Sequence, residues 1–308
     1  MAGHREAGRE SCYLHTMRYH GAVIRPPSEA DSLILQVTYG CSRNECSFCG
    51  TYLDKPFRSR PFAEVVEDLV ALPPWVKEST RRVFLADGDA VILPQRRLLD
   101  ILAVLHEHLP QLERVSSYAT AQALLRKTEE QLAELRSHGL RLLFVGLESG
   151  DDATLAACGK GVTVDQQVEA CRRAKAAGMR LSVTAILGLA GVERSLEHAC
   201  ATGLAFSRID PEYIGVLSLM VVPGSRLATE VADGSFVVPP PLTMLRELRE
   251  MLAAIDVTDS LFRSNHASNY LPVGGRLPQD KALMLAALDQ VLDHPDLARL
   301  RPEAWRAL

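Results

Sequence analysis

Apolar and polar positions along this chain follow two rhythms that take turns. Continuous apolar runs at residues 33–38, 83–86, 115–118, 142–147, 181–187 and 213–222 read as strands covered on both faces. Between them, at 62–72, 96–108, 128–138, 164–177 and 195–206, apolar residues recur at helical spacing, as Val65, Val66, Leu69 and Val70 do in the first. Helix punctuation agrees: Thr128 is placed as a cap, Gln131 closes a capping box, and Gly139 and Gly178 suit helix ends. Six strands, most of them followed by a helix, predict a parallel sheet with crossover helices, either doubly wound or an incomplete barrel. From Pro239-Pro240-Pro241 onward the pattern turns mostly helical, around 243–255 and 280–292, with a polar segment between.

Composition changes this picture little. Of 308 residues 47% are hydrophobic, enough for a sizeable core, and 23% are charged. A formal charge of −4 with scattered Lys and Arg does not favour nucleic acid as an electrostatic partner. The polar start at residues 1–9 lacks the apolar stretch of a signal peptide, and no apolar run is long enough to cross a bilayer, so the expectation is a cytoplasmic chain with no membrane partner. In that compartment seven cysteines point to metal or redox chemistry rather than to disulfides.

Three of the seven stand together in Tyr39-Gly40-Cys41-Ser42-Arg43-Asn44-Glu45-Cys46-Ser47-Phe48-Cys49-Gly50, directly after a strand. Three thiolates do not close a tetrahedral zinc site, and a 4Fe-4S cluster usually takes four. A cluster held by three leaves one iron open for an exogenous ligand. A structural zinc site completed by Cys12, His15 or His20 is the competing reading. Cys12, Cys158, Cys171 and Cys200 show no ligand spacing, and Cys171 and Cys200 read as buried small residues in helices.

The loop resembles the radical S-adenosylmethionine (SAM) superfamily, whose signature is Cys-x3-Cys-x2-Cys with an aromatic residue before the third Cys. This chain has four residues in the first gap and Phe48 before Cys49. Other strand ends are similar to the family's as well. Asp87-Gly88-Asp89 stands where relatives carry a Gly-Gly-Glu-like motif, and Gly146-Leu147-Glu148-Ser149-Gly150 closes the fourth strand. Ile186-Leu187-Gly188-Leu189-Ala190-Gly191 closes the fifth, and Pro223-Gly224-Ser225 follows the sixth. Sites in parallel barrels are built at that end of the strands.

The resemblance implies an α/β fold, an incomplete (β/α)6 TIM-like barrel at 31–237, after an extension at 1–30 and before a mostly helical one at 238–308. It implies a 4Fe-4S cluster on Cys41, Cys46 and Cys49, with SAM chelating the open iron. Phe48 would shield the cluster. Asp87 or Asp89, beside Gly88, would meet the SAM ammonium; Glu148 and Ser149 the ribose or methionine; and the backbone near Ile186 and Gly188 the adenine. An external one-electron donor of the flavodoxin or ferredoxin type would feed the cluster. Reductive cleavage of SAM would then give a 5'-deoxyadenosyl radical for hydrogen abstraction.

The substrate is expected to be polar. Phe262-Arg263-Ser264-Asn265-His266-Ala267-Ser268-Asn269-Tyr270 is dense in donors and acceptors. There Arg263 suits a carboxylate or phosphate, and Asn265, His266 and Asn269 suit a polar group. A loop that caps helices is the plainer reading. Tyr118 is a candidate for positioning substrate or relaying a hydrogen atom. Too few residues precede residue 33 for a usual cobalamin domain, and Thr51 stands where coproporphyrinogen oxidases carry a further Cys. A compact, stand-alone member is expected. The other function class is a non-catalytic Fe–S or zinc protein: electron carrier, sensor or nucleic-acid-binding module.

Overall fold

The computed structural model describes residues 17–297 and 299–307. Cys12 and His15, two of the three candidates for a fourth zinc ligand, lie outside the described residues. The chain divides into two compact units, the first made of residues up to Asn44, Asp54–Leu143 and Ala176–Met179, the second of Glu45–Leu53, Phe144–Lys175 and Arg180–Leu308.

In chain order the first unit runs β1 (Leu33–Gln36), β2 (Thr38–Tyr39), β3 (Arg58–Ser59), α1 (Phe62–Ala71), α2 (Pro74–Ser79), β4 (Arg82–Ala86), α3 (Gln95–His108), β5 (Arg114–Ala119), α4 (Ala121–Leu125) and α5 (Glu129–Ser137). β1 pairs in parallel with β4, Leu33 opposite Val83, and β4 in parallel with β5. Helix α3 buries Leu98, Ile101, Leu102 and Leu105, and full burial of such a side chain stabilises by roughly 1.5–3 kcal/mol. The predicted capping box forms at α5: Thr128 accepts from the Gln131 N–H, and Gln131 accepts from the Thr128 N–H. Arg60 is fully buried, 2.6 Å from the equally buried Asp68.

β6 (Leu140–Glu148) leads into the second unit. There follow α6 (Asp152–Ala157), α7 (Val164–Ala176), β7 (Arg180–Leu187), α8 (Ser195–Ile209), β8 (Tyr213–Ser218), α9 (Arg226–Ala232), α10 (Pro241–Ala254), β9 (Ser260–Ser264), β10 (Val273–Leu277) and α11 (Lys281–Asp293). The strands hydrogen-bond in the order β1-β4-β5-β6-β7-β8-β9-β10, while β2 and β3 form a separate antiparallel pair. β7, β8 and β9 are parallel, and β10 turns back antiparallel on β9. The fold class is the expected one, α/β and TIM-like, with all six predicted strands in place.

Two expectations change. The polar segment after α10 is not a loop between helices, because its first residues form β9 and extend the sheet. Burial alternates there, with Ser260, Phe262 and Ser264 inside. The buried serines hid the strand. Ser260 satisfies its hydroxyl on the Pro211 carbonyl, and Ser264 accepts from Asn269. Second, β7 and β8 are not covered equally on both faces. Val183, Ala185, Leu187, Ile214 and Val216 are buried, whereas Ser182, Thr184, Ile186, Gly215 and Leu217 are only half-buried.

Candidate active site

β2 delivers the cysteine loop, which contributes Cys41 to the first unit and Cys46, Phe48 and Cys49 to the second. In the first unit Cys41 is half-buried, and Gly40 before it is tied to the end of β4. The Gly40 N–H donates to Asp87 Oδ2 at 3.0 Å, and the Gly88 N–H donates to the Gly40 carbonyl at 3.1 Å. Asp87 is wholly buried, and the same Oδ2 also accepts from Gln36 at 2.9 Å and the Lys55 ammonium at 3.1 Å. Its other oxygen, Oδ1, is buried without a hydrogen-bond partner. Asp89 is engaged at both oxygens: Ser42 and Thr120 hydroxyls donate to Oδ2 at 2.5 and 2.9 Å, and the Thr120 N–H to Oδ1 at 3.2 Å. Tyr118, edge-on to Phe84 at 5.1 Å, has its phenol held well above the ordinary range by burial and then by the Glu29 charge, so it stays protonated. His20 is exposed, its ring edge-on to Tyr39 at 5.1 Å.

In the second unit Cys46, Phe48 and Cys49 are half-buried. The turn they occupy is braced from behind: the Ser47 N–H donates to the Cys158 carbonyl at 2.8 Å, and the Leu227 N–H to the Ser47 carbonyl at 2.9 Å. Glu148 closes β6 with φ +61°, a left-handed conformation that residues other than glycine seldom adopt. Its carboxylate folds back over Gly146, where an added Cβ would lie 1.9 Å from Glu148 Oε1. That oxygen takes the Lys160 ammonium at 2.8 Å. Burial pulls Lys160 toward neutrality, but the Glu148 carboxylate outweighs it and holds the ammonium above its ordinary value. Burial pushes the neighbouring Cys158 thiol up to about 12, consistent with a packing role.

The remaining expected cofactor contacts fall differently. The Ser149 hydroxyl is fully buried between His198 Nδ1, at 2.7 Å, and the Asp151 N–H, at 3.0 Å. The backbone at β7's end is also engaged, since the Ile186 carbonyl accepts from His198 Nε2 at 3.1 Å and the Gly188 N–H donates to Glu247 at 2.7 Å. What Ile186 leaves open is its side chain, on the half-buried face. The turn beyond Ser149 is pressed onto α8; a Cβ at Gly150 would stand 2.2 Å from the Ala201 carbonyl oxygen.

Of the segment's candidate residues, Arg263 and Asn265 face open space. Arg263 is exposed in mid-strand, in register with Gly215 on β8 and Gly274 on β10. It lines an open groove of about 470 Å³ together with Leu261, Asn265 and Gly275. His266 and Asn269 instead fold the segment. His266 Nδ1 accepts from the Ser268 N–H at 3.1 Å, and the buried Asn269 amide donates to the Val216 carbonyl at 2.8 Å. Arg301 donates to the carbonyls of His266, Ala267 and Asn269, and Arg306 to those of Ser268 and Leu219. For these two residues the plainer reading of a structural segment is the one the packing supports.

Cys49, Cys158, Cys171 and Cys200 are free thiols. Among the described residues no three His, Cys, Asp or Glu side chains are gathered as ligands of one metal ion. Cys171 is buried as expected, but Cys200 is exposed. It lies one position beyond Ala199 on α8, about 100° around the helix from the buried face. Sequence reasoning passed over Lys55, Lys160, His198 and Glu247. A signal was present for the last two: Glu247 interrupts the apolar spacing of Met244, Leu248 and Met251, and His198 sits at helical spacing from Ser195 and Thr202.

Residues 35–200, more than half of the chain, match the radical SAM superfamily model, and the chain belongs to that superfamily. It is 25% identical over 197 residues to an uncharacterized methyltransferase of Pyrococcus horikoshii, covering 63% of this chain and 40% of that protein. Among solved structures it is similar to the coproporphyrinogen III oxidase of Escherichia coli, described as a radical SAM enzyme, with a TM-score of 0.58 and 15% identity over 79% of this chain and 55% of that one. It is also similar to the radical SAM methyltransferase TsrM of Kitasatospora setae, solved with cobalamin and a 4Fe-4S cluster bound, with a TM-score of 0.54, 19% identity, and coverage of 70% and 43%. The chain thus spans less than half the length of the curated relative. No helix among the described residues is long and apolar enough to cross a membrane.

Proposed function

We propose that this chain is a radical SAM enzyme whose Cys41, Cys46 and Cys49 hold a 4Fe-4S cluster with SAM at its open iron. The donor set fits the group: three half-buried thiols in one loop, where closed zinc sites take four ligands. The observation that carries the reading is the orphaned Oδ1 of Asp87. A buried acceptor left unmet costs roughly 1–3 kcal/mol, and a carboxylate tied to the residue before Cys41 is well suited to an ammonium group. Asp89, satisfied by Ser42 and Thr120, braces the ends of β4 and β5 instead.

When bound, the cluster and SAM supply an electron-driven carbon–sulfur cleavage and a 5'-deoxyadenosyl radical that abstracts hydrogen from substrate. The protein's part is to bind, orient and exclude water. In the first unit Asp87 receives the SAM ammonium, and Tyr118 presents a protonated phenol. In the second, Phe48 shields the cluster, Glu148 is poised for a ribose or methionine hydrogen bond, and the Ile186 side chain offers apolar contact to a ring. Arg263 is suited to anchor an acidic group of a polar substrate. The electron comes from an external flavodoxin- or ferredoxin-like donor.

The test is anaerobic reconstitution with iron and sulfide, dithionite reduction, addition of SAM and assay of 5'-deoxyadenosine. About four irons per chain, with deoxyadenosine that disappears in Cys46→Ala, is the expected result. Zinc without iron would overturn it in favour of a structural metal protein, and a full cluster that never cleaves SAM would favour a carrier or sensor.

A further inference from the structure

Behind the ends of β6 and β7, the second unit contains a wholly buried polar network that takes no part in the function proposed above. His198 and Glu247 are both 0% exposed. His198 Nε2 faces only acceptors, the Ile186 carbonyl at 3.1 Å and Glu247 Oε1 at 3.3 Å, so this nitrogen carries a proton. Its Nδ1 shares the 2.7 Å hydrogen bond with Ser149. Glu247 accepts from the Gly188 N–H at 2.7 Å through Oε1 and from the Ser195 hydroxyl at 2.6 Å through Oε2. Thr202 completes the set, accepting from the Gly150 N–H at 2.8 Å and donating to the His198 carbonyl at 2.6 Å.

Two helices, α8 and α10, thereby grip two successive strand ends at the backbone: residues 149–151 after β6 and 186–188 at the end of β7. A core that needed only to be stable gains little from an acidic side chain there. Burying such a group is costly unless hydrogen bonds satisfy it, and apolar residues of like size are often no less stabilising. What the network supplies is fixed geometry. Its hydrogen bonds end on the turns that flank Glu148, held at φ +61°, and Ile186 on the half-buried face.

We infer that His198 and Glu247 are positioning residues for SAM: without touching it, they set the ends of β6 and β7 so that Glu148 and Ile186 meet its nucleoside part. The inference rests on the radical SAM reading above. Glu247→Leu keeps the size but removes both acceptors, leaving the Gly188 N–H and the Ser195 hydroxyl unmet and His198 Nε2 held by the Ile186 carbonyl alone. Glu247→Gln can retain the arrangement, because its carbonyl oxygen serves Gly188 and His198 while its amide donates to the Ser195 oxygen. Ser195→Ala removes one hydrogen bond only and is the milder probe should Glu247→Leu fail to fold.

Each variant is reconstituted anaerobically, its iron counted and its melting temperature recorded. Binding of radiolabelled SAM to the oxidised, non-cleaving form is then measured by equilibrium dialysis. Glu247→Leu should bind SAM about tenfold or more weakly at unchanged iron content, Ser195→Ala a few-fold more weakly, and Glu247→Gln close to wild type. The inference is overturned if Glu247→Leu and Ser195→Ala bind SAM as wild type does and merely melt lower, or if Glu247→Gln fails as badly as Glu247→Leu. Wild-type protein that holds iron yet binds no SAM would overturn the underlying reading, and the inference with it.

Discussion

Alkylation of the cysteines, before and after cluster loading, probes the cluster assignment residue by residue. In metal-free protein at pH 8, Cys41, Cys46 and Cys49 are half-buried and Cys200 is exposed, so iodoacetamide should reach all four. Cys171 should resist, since burial pushes its thiol up to about 12 from an ordinary 9.0. At pH 8 its reactive thiolate is then about one part in ten thousand, against about one in ten for an ordinary thiol, a roughly thousandfold slower reaction before any steric protection. Cys158, 4% exposed with its Sγ against the Leu155 carbonyl, should be slow as well. After reconstitution with iron and sulfide the three loop thiols should become unreactive while Cys200 keeps its rate. Residue-resolved mass spectrometry reads each site, and Cys46→Ala should restore labelling at Cys41 and Cys49. Cys171 labelled within tenfold of Cys200 would refute the burial argument. Protection of Cys200, or a loop thiol still reactive at full iron content, would refute the ligand set.

Two further outcomes follow from the packing of the second unit. Gly150→Ala should cost about 3 kcal/mol in urea unfolding of the metal-free protein, because its Cβ would meet the Ala201 carbonyl at 2.2 Å and backbone yields poorly to overpacking; a loss below about 1 kcal/mol would mean that α8 is not pressed onto this turn. Burial, and then the Arg301 charge, hold His266 below its ordinary 6.5, so the unfolded chain takes up that proton before the folded one does. The stability this neutral ring contributes is complete above 6.5 and is lost as pH falls below it. Urea midpoints taken from about pH 7.5 to about 5.5 should therefore decline less in His266→Gln than in wild type, and equal declines would contradict the assignment.

Local patterns settled much of this protein. The capping box at Thr128 and Gln131 depends on neighbours three residues apart, and the strand–helix alternation on periods of two and 3.6, so both were legible without tertiary contacts. The cysteine loop was legible for the same reason: its three cysteines are close in sequence. What the sequence could not decide was which polar atoms remain unmet after folding. Asp87 and Asp89 look equivalent as residues, yet Thr120 and Ser42 satisfy one while Gln36, Gly40 and Lys55 crowd a single oxygen of the other. Likewise Arg263 and Asn269 look alike as polar candidates; strand register leaves the first between two glycines, and the segment's own fold turns the second onto the Val216 carbonyl. Glu247 reaches Gly188 across 59 positions of chain. Such partnerships are set by which surfaces the core presses together, and only the tertiary structure decides that.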